Sequence, residues 1–174
     1  SESEQGSLDE LPPVAHGQWV LPPSNLLVRS QTQTVNKAEV EARGRQLIEA
    51  LQSHGVDTKM VGMTVGPTVT RYELELGPGV KVARITSLNR DIAYAMAATD
   101  VRILAPIPGR QAIGVEVPNH TRQLVSLGDV MTSADARSAT NPLDVAIGKD
   151  IAGRSIFLNL ATTPHLLVAG ATGA

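Results

Sequence analysis

The stretch Thr68-Val69-Thr70-Arg71-Tyr72-Glu73-Leu74-Glu75-Leu76 alternates with a period of two. Thr70, Tyr72, Leu74 and Leu76 fall on one side of an extended chain, and Val69, Arg71, Glu73 and Glu75 on the other. Successive strand side chains point to opposite faces, so this pattern predicts a strand in a sheet with one buried face. Gly66-Pro67 before it and Gly77-Pro78-Gly79 after it are turn signals. Lys59 to Val65 is then a preceding strand, joined to it as a hairpin. Glu73 and Glu75 share a face with Arg71, which reads as a solvated ionic surface rather than a catalytic carboxylate pair.

Upstream, the spacing predicts a helix from about Lys37 to His54. Asn36 suits the N-cap, Glu39 the reciprocal position of a capping box, and Val35 and Val40 the hydrophobic staple. Val40, Gly44, Leu47, Ile48 and Leu51 make one apolar stripe. Gly55 can end the helix in a left-handed conformation, with Val56 folding back on Leu51. Downstream, Val80 to Ile85 reads as a short extended piece. A second helix follows from about Leu88 to Ala98, capped by Ser87 or Asn89, with a stripe of Leu88, Ile92, Ala95 and Met96. Val101 to Leu104 and Ala112 to Val117 read as strands around the Pro106-Ile107-Pro108-Gly109 turn. Gln123 to Leu127 is a further candidate strand. Helix, two strands, helix, two strands makes an α+β domain over 34–127.

Beyond Gly128 the pattern changes. Asp129 to Ala139 has weak helical character. Leu143 to Ile147 and Arg154 to Leu160 suit a hairpin across Gly148-Lys149-Asp150-Ile151-Ala152-Gly153, and Leu166 to Ala169 a strand. Residues 128–174 are too few to close a core and read as the opening of a second domain. Residues 1–33 read as a linker, expected to be disordered. Its Pro pairs at 12–13 and 22–23 block regular structure, though Trp19-Val20-Leu21 and Leu26-Leu27-Val28 are apolar enough to dock on a neighbour.

Composition narrows the chemistry. The absence of Cys removes disulfides, thiolate metal sites and a Cys nucleophile. No apolar run approaches the roughly 20 residues a membrane helix needs. The net charge of −2 provides no global field for DNA or an anionic membrane. With only Trp19, Tyr72, Tyr94 and Phe157, a base-stacking platform is not expected. His16, His54, His120 and His165 are scattered without ligand spacing, so no metal site is expected. Arg84, Arg90, Arg102, Arg110 and Arg122 suggest a basic track. Beyond residue 33, however, basic residues exceed acidic ones by only 14 to 13, so surface charges or subunit contacts are the better reading.

The run His165-Leu166-Leu167-Val168-Ala169-Gly170-Ala171-Thr172-Gly173-Ala174 has the form in which a P-loop begins: a buried strand, then the first glycine of G-x-x-x-x-G-K-[ST]. Such a loop wraps phosphate in consecutive backbone N–H groups, and glycine keeps the approach open. A buried strand with a Gly-rich end is an equal reading of these residues alone.

Several ordered motifs bear on that choice. Gly66-Pro67-Thr68-Val69-Thr70-Arg71-Tyr72-Glu73, followed by Gly77-Pro78-Gly79-Val80-Lys81-Val82, resembles the FtsK/SpoIIIE family of DNA translocases. So do Ile107-Pro108-Gly109-Arg110, Ile113-Gly114-Val115-Glu116-Val117-Pro118-Asn119, Ile147-Gly148-Lys149-Asp150-Ile151-Ala152-Gly153 and Pro164 to Gly173. The resemblance runs from about Val35 to Ala174. It implies a small mixed-sheet α domain over 34–127 and the truncated start of a RecA-like P-loop α/β motor domain over 128–174. It makes Gly170, Ala171, Thr172, Gly173 and Ala174 nucleotide-binding positions, with ATP and Mg²⁺ as cofactors in the full-length parent. The parent is then a hexameric ATPase that drives double-stranded DNA through its ring in chromosome partition at cell division. An N-terminal region anchors it in the bacterial inner membrane at the division site.

The membrane segment, the P-loop Lys and Ser/Thr, the Walker B acid, the DNA-touching loops and the orienting-sequence reader of that family are missing from these residues. The resemblance therefore carries over no catalytic residue. The chain is expected to be a cytoplasmic fragment that binds ATP poorly and hydrolyses none. One alternative is a stand-alone oligomerisation or docking module without ATPase activity. Another is a piece of a related secretion ATPase, which resembles this family mainly in the motor. In the gene, the codons after Ala174 are expected to read Gly-Lys-Ser or Gly-Lys-Thr; a natural stop codon there would favour the docking module.

Overall fold

A computed structural model describes residues 22–30 and 36–170. Helix α1 (Lys37–Ser53) starts where Asn36 accepts a hydrogen bond from the Glu39 N–H through its side chain. It ends in a Schellman motif. Val56 N–H bonds to Leu51 C=O and Gly55 N–H to Gln52 C=O, with Gly55 at φ +72°. Val35, the expected staple partner, lies outside the described residues.

Strands β1 (Thr58–Val65), β2 (Val69–Leu76), β3 (Arg102–Leu104) and β4 (Ile113–Pro118) form a sheet of order β1-β2-β4-β3. The α+β class is as expected, but every ladder is antiparallel rather than mixed. Hairpin connections join β1 to β2 and β3 to β4, which makes those pairs antiparallel, and β4 returns beside β2 in the opposite direction after the helical segment. On the core face, Met63, Tyr72, Val115 and Ile103 follow one another across the four strands in register. Leu47 and Leu51 of α1, with Ile92 and Met96 from the helical segment between β2 and β3, close over that face and are almost fully buried. Each such side chain contributes about 1.5–3 kcal/mol by leaving water.

Between β2 and β3 the helical layer starts earlier than the sequence suggests. Val80–Ile85, expected to be extended, turns into α2 (Val82–Thr86), which buries Ile85 completely. The apolar stripe therefore begins at Ile85 and continues through Leu88, Ile92 and Met96. Helix α3 (Asn89–Ala95) is shorter than expected, and neither Ser87 nor Asn89 caps it. Ser87 Oγ donates to Arg84 C=O, and Asn89 Nδ2 reaches Val101 C=O. The C-terminal carbonyls of α3 are met from α1 instead: Arg43 Nη2 donates to Met96 O at 3.0 Å and Gln46 Nε2 to Ala95 O at 2.6 Å.

Gln123 to Leu127 forms no strand. It runs into α4 (Leu127–Met131), where Ser126 and Asp129 make a reciprocal capping box. A local cap satisfies these backbone groups in place of a ladder. A second, two-stranded sheet follows, β5 (Asp144–Lys149) paired antiparallel with β6 (Ser155–Asn159), as the hairpin reading predicts.

Residues 22–30 of the expected linker lie against α4. Ser30 donates to the Asp129 carboxylate through both its N–H, at 3.1 Å, and its hydroxyl. A Cβ at Gly128 would collide with the Val28 carbonyl, so only glycine admits this approach. Residues 1–21 and 31–33 of the expected linker, including Trp19-Val20-Leu21, lie outside the described residues. The bonds from Ser30 and Ser126 hold the Asp129 carboxyl well below the usual carboxylate range. A carboxyl so depressed adds stability above its ordinary pKa of about 3.9 and loses it as pH falls through its lowered value. Residues 22–30 are expected to resist proteolysis near neutral pH and to lose that protection progressively as pH falls from about 4 toward the lowered value; Asp129→Ala should make them susceptible at neutral pH, as read by limited proteolysis with mass spectrometry.

Gly44 tests the main core. A Cβ there would sit 2.5 Å from Met60 Cε and 3.1 Å from the Tyr72 ring. Met60 can move, but Tyr72 Oη is tied to Val40 C=O at 3.1 Å. Gly44→Ala should stay within about 1 kcal/mol of the parent, because improved helix propensity offsets the contact. Gly44→Leu should lose about 2–3 kcal/mol in denaturant unfolding.

Candidate functional site

The outer face of the sheet is an ion-pair lattice. Arg71 on β2 faces Glu116 on β4, and Arg102 on β3 faces Glu116 from the other side. Arg71 Nη2 lies 2.7 Å from Glu116 Oε1 and Arg71 Nε 3.1 Å from the same oxygen. Arg102 Nη1 is 3.7 Å from Glu116 Oε2. One register position along, Glu73 pairs with Arg110 from the β3–β4 loop. Of the face expected to be solvated, Glu75 is exposed, but Glu73 is only 8% exposed and its neighbour Glu116 9%.

The space that allows this comes from glycine. A bulge in β1 between Met60 and Gly62 brings Gly62 opposite Glu73, and Gly114 lies opposite Glu73 on β4. A Cβ at Gly62 would meet Glu73 Oε2 at 2.9 Å, and one at Gly114 would meet Arg71 Cδ at 3.2 Å. Long charged side chains therefore lie flat over bare backbone and pair with each other instead of reaching into water. Period-two reading assigns Arg71 and Glu73 to this face but contains no signal for the glycines opposite them.

Asn119, read as loop punctuation, is a clamp. Its carboxamide oxygen faces Thr70 Oγ1 at 2.7 Å, its Nδ2 donates to Gly66 C=O at 2.9 Å, and its N–H donates to Thr68 C=O. The Gly66-Pro67 turn so held abuts the β5–β6 turn, where a Cβ on Gly66 would meet the Ile151 carbonyl. Asp150 organises that second turn. Burial raises its carboxyl pKa, but bonds from Arg154 N–H, the Arg154 guanidinium and Ala152 N–H outweigh burial and hold it below the usual value. Between the two turns and the ion-pair face lies a cleft of about 310 Å³, lined among others by Thr68, Arg71, Arg102, Glu116, Lys149 and Asp150.

The arginines suggested as a basic track divide. Arg102 and Arg110 belong to the lattice, Arg84 Nη2 donates to His54 C=O at the end of α1, and Arg90 and Arg122 are exposed. Among the described residues no three His, Asp or Glu side chains converge as metal ligands, and no helix is long and apolar enough to cross a membrane.

The segment expected to lead into a nucleotide loop is not a strand. Leu166 to Ala169 has no ladder partner among the described residues and is exposed, with Leu167 90% accessible. An extended apolar segment needs neighbours for its backbone groups as well as its side chains. Of the expected nucleotide-binding positions, Gly170 is exposed, with nothing within 4 Å of where a Cβ would sit. Ala171, Thr172, Gly173 and Ala174 lie outside the described residues.

A helix-backed antiparallel sheet, followed by a capped short helix and a separate hairpin, defines a small α+β domain with an appended segment. The chain belongs to the FtsK alpha domain family, whose model matches residues 21–119. It is 51% identical over 155 residues to the DNA translocase FtsK of Streptomyces avermitilis, covering 89% of this chain and 17% of that protein. It is 49% identical over 160 residues to the DNA translocase FtsK of Mycobacterium tuberculosis, covering 92% and 19%. The DNA translocase FtsK of Staphylococcus aureus is 44% identical over 174 residues, covering 99% and 22%. The chain thus spans about a fifth of the length of these relatives.

The lattice makes a graded prediction. Glu116→Ala leaves Arg71 without its buried partner and should cost about 3 kcal/mol in urea unfolding. Arg102→Ala should cost less than about 1 kcal/mol, because that side chain is 74% exposed and distant from its acceptor.

Proposed function

We propose that this chain serves as part of an ATP-driven double-stranded DNA translocase, working as a homo-hexamer in chromosome partition at cell division. The observation that carries the reading is the family match over residues 21–119, together with relatives named DNA translocases that align with most of the chain. In this reading the sheet, α1 and α3 form a rigid body on which a motor is mounted. Two features support that role: the aliphatic core under α1, and a second face stiffened by ion pairs that a covering domain is not needed to satisfy.

Residues 128–174 are proposed as the opening of a RecA-like P-loop domain, and Gly170 to Ala174 as the first part of its nucleotide loop. Gly170 fits that use, since nothing lies within 4 Å of where a Cβ would stand. Bound there with Mg²⁺, ATP would supply the free energy for moving DNA. Membrane anchoring is proposed to lie in another part of the parent protein.

The test is a chimera. Residues 1–174 replace the matching part of the Streptomyces avermitilis relative, and DNA-stimulated ATP hydrolysis and duplex movement are measured. The chimera is expected to retain both, whereas the isolated chain hydrolyses no ATP with or without DNA. Gly170→Val in the chimera should reduce hydrolysis about 100-fold, because a side chain there holds the phosphate away from the backbone donors, with an effect on the scale of one lost donor. A chimera that folds and forms rings but moves no DNA would sink the proposal, as would DNA-stimulated hydrolysis by the isolated chain.

A further inference from the structure

The cleft between the ion-pair face and the β5–β6 turn has unequal charge accounts. Glu116 lies at its floor with both oxygens engaged, Oε1 by Arg71 and Oε2 facing Arg102. The Asp150 carboxylate is taken up by Arg154 and by two backbone N–H groups. The acids are thus already committed, whereas the cations keep donors in reserve. Arg71 uses Nε and Nη2 on Glu116, which leaves Nη1. Among the described residues Arg102 is held by the 3.7 Å approach alone, and it is largely exposed. Lys149 is exposed and makes no ion pair among the described residues.

Three cations from three different elements, β2, β3 and β5, therefore border one cleft of about 310 Å³. Its rims are fixed: Asn119 holds the Gly66-Pro67 turn, and Asp150 the other. A preformed concavity with committed acids and spare guanidinium and ammonium donors favours a compact, multiply charged oxyanion. We propose that this cleft is a phosphate-binding site, held by Arg71, Arg102 and Lys149. None of these three residues belongs to the glycine segment at 170–174, and the proposal does not depend on it. The same chemistry is offered by free phosphate and by a phosphate of a duplex backbone.

Amide NMR spectra of the 174-residue chain would be followed during titration with inorganic phosphate and, separately, with a short double-stranded oligonucleotide. Shifts are expected at Thr68, Val69 and Lys149 to Ile151, weakening with added salt. Arg102→Ala and Lys149→Ala should each weaken binding about tenfold, the loss of one charge-assisted contact. Arg90→Ala, at an exposed arginine outside the cleft, should not. Both substitutions in the cleft are at exposed side chains and leave the fold intact, which the unperturbed remainder of the spectrum checks. Cleft shifts with inorganic phosphate alone identify a free-phosphate site; tighter binding of the duplex identifies a backbone-phosphate contact. The proposal is overturned if neither ligand moves these resonances, or if the two cleft variants titrate like Arg90→Ala. Loss of ATP hydrolysis in the chimera would leave this result untouched, so the two readings fail independently.

Discussion

The close approach of α1 to β2 sets the rest of this structure. At Gly44 the helix has no side chain, so Met60 and the Tyr72 ring fill the space where a Cβ would stand. Tyr72 then reaches past them to Val40 C=O, and burial pushes its hydroxyl pKa up. Once the helix sits this low, Leu47 and Leu51 are carried fully into the sheet, and the α3 carbonyls come within reach of Arg43 and Gln46. A larger residue at Gly44 would lift the helix and weaken each of these contacts together.

Pressing one face of a four-stranded sheet under helices leaves the other face to be managed. Here it carries paired charges rather than apolar side chains. Buried ion pairs contribute little net stability, because desolvation consumes most of the attraction, but they penalise any arrangement that separates the partners. The lattice therefore fixes the register of β2, β4 and β3 more than it deepens the energy well. Slipping β4 by one residue would put Glu116 among Tyr72 and Leu74 and leave Arg71 over apolar side chains.

Strong local periodicity is legible in the sequence. The α1 start and Schellman stop, the β1–β2 hairpin, the β3–β4 pair and the β5–β6 hairpin all stand where their residues predict them. Each has its signal within a few residues of itself. At Val80–Ile85 the spacing of Val80, Val82 and Ile85 suits either extension or a helical turn, and only the packing of Ile85 into the core decides. Gln123–Leu127 misled because Ser126 and Asp129 provide a cap that competes with a ladder. Leu166–Ala169 has strand composition but no neighbouring strand among the described residues.

The site was less legible. Alternation alone places Arg71 and Glu73 on the outer face, but their burial depends on Gly62, Gly114, Glu116 and Arg110, which come from other strands and a loop. The sequence by itself determined α1, the β1–β2, β3–β4 and β5–β6 pairs with their turns, the α+β class and the family, because helix stripes, strand alternation and glycine turns are local properties. Only the tertiary structure decided that the outer face is buried ion pairs, that Asn119 clamps a turn, and that Lys149 shares a cleft with Arg71 and Arg102. These depend on which residues separate in sequence become neighbours in space, and no period in the chain records that.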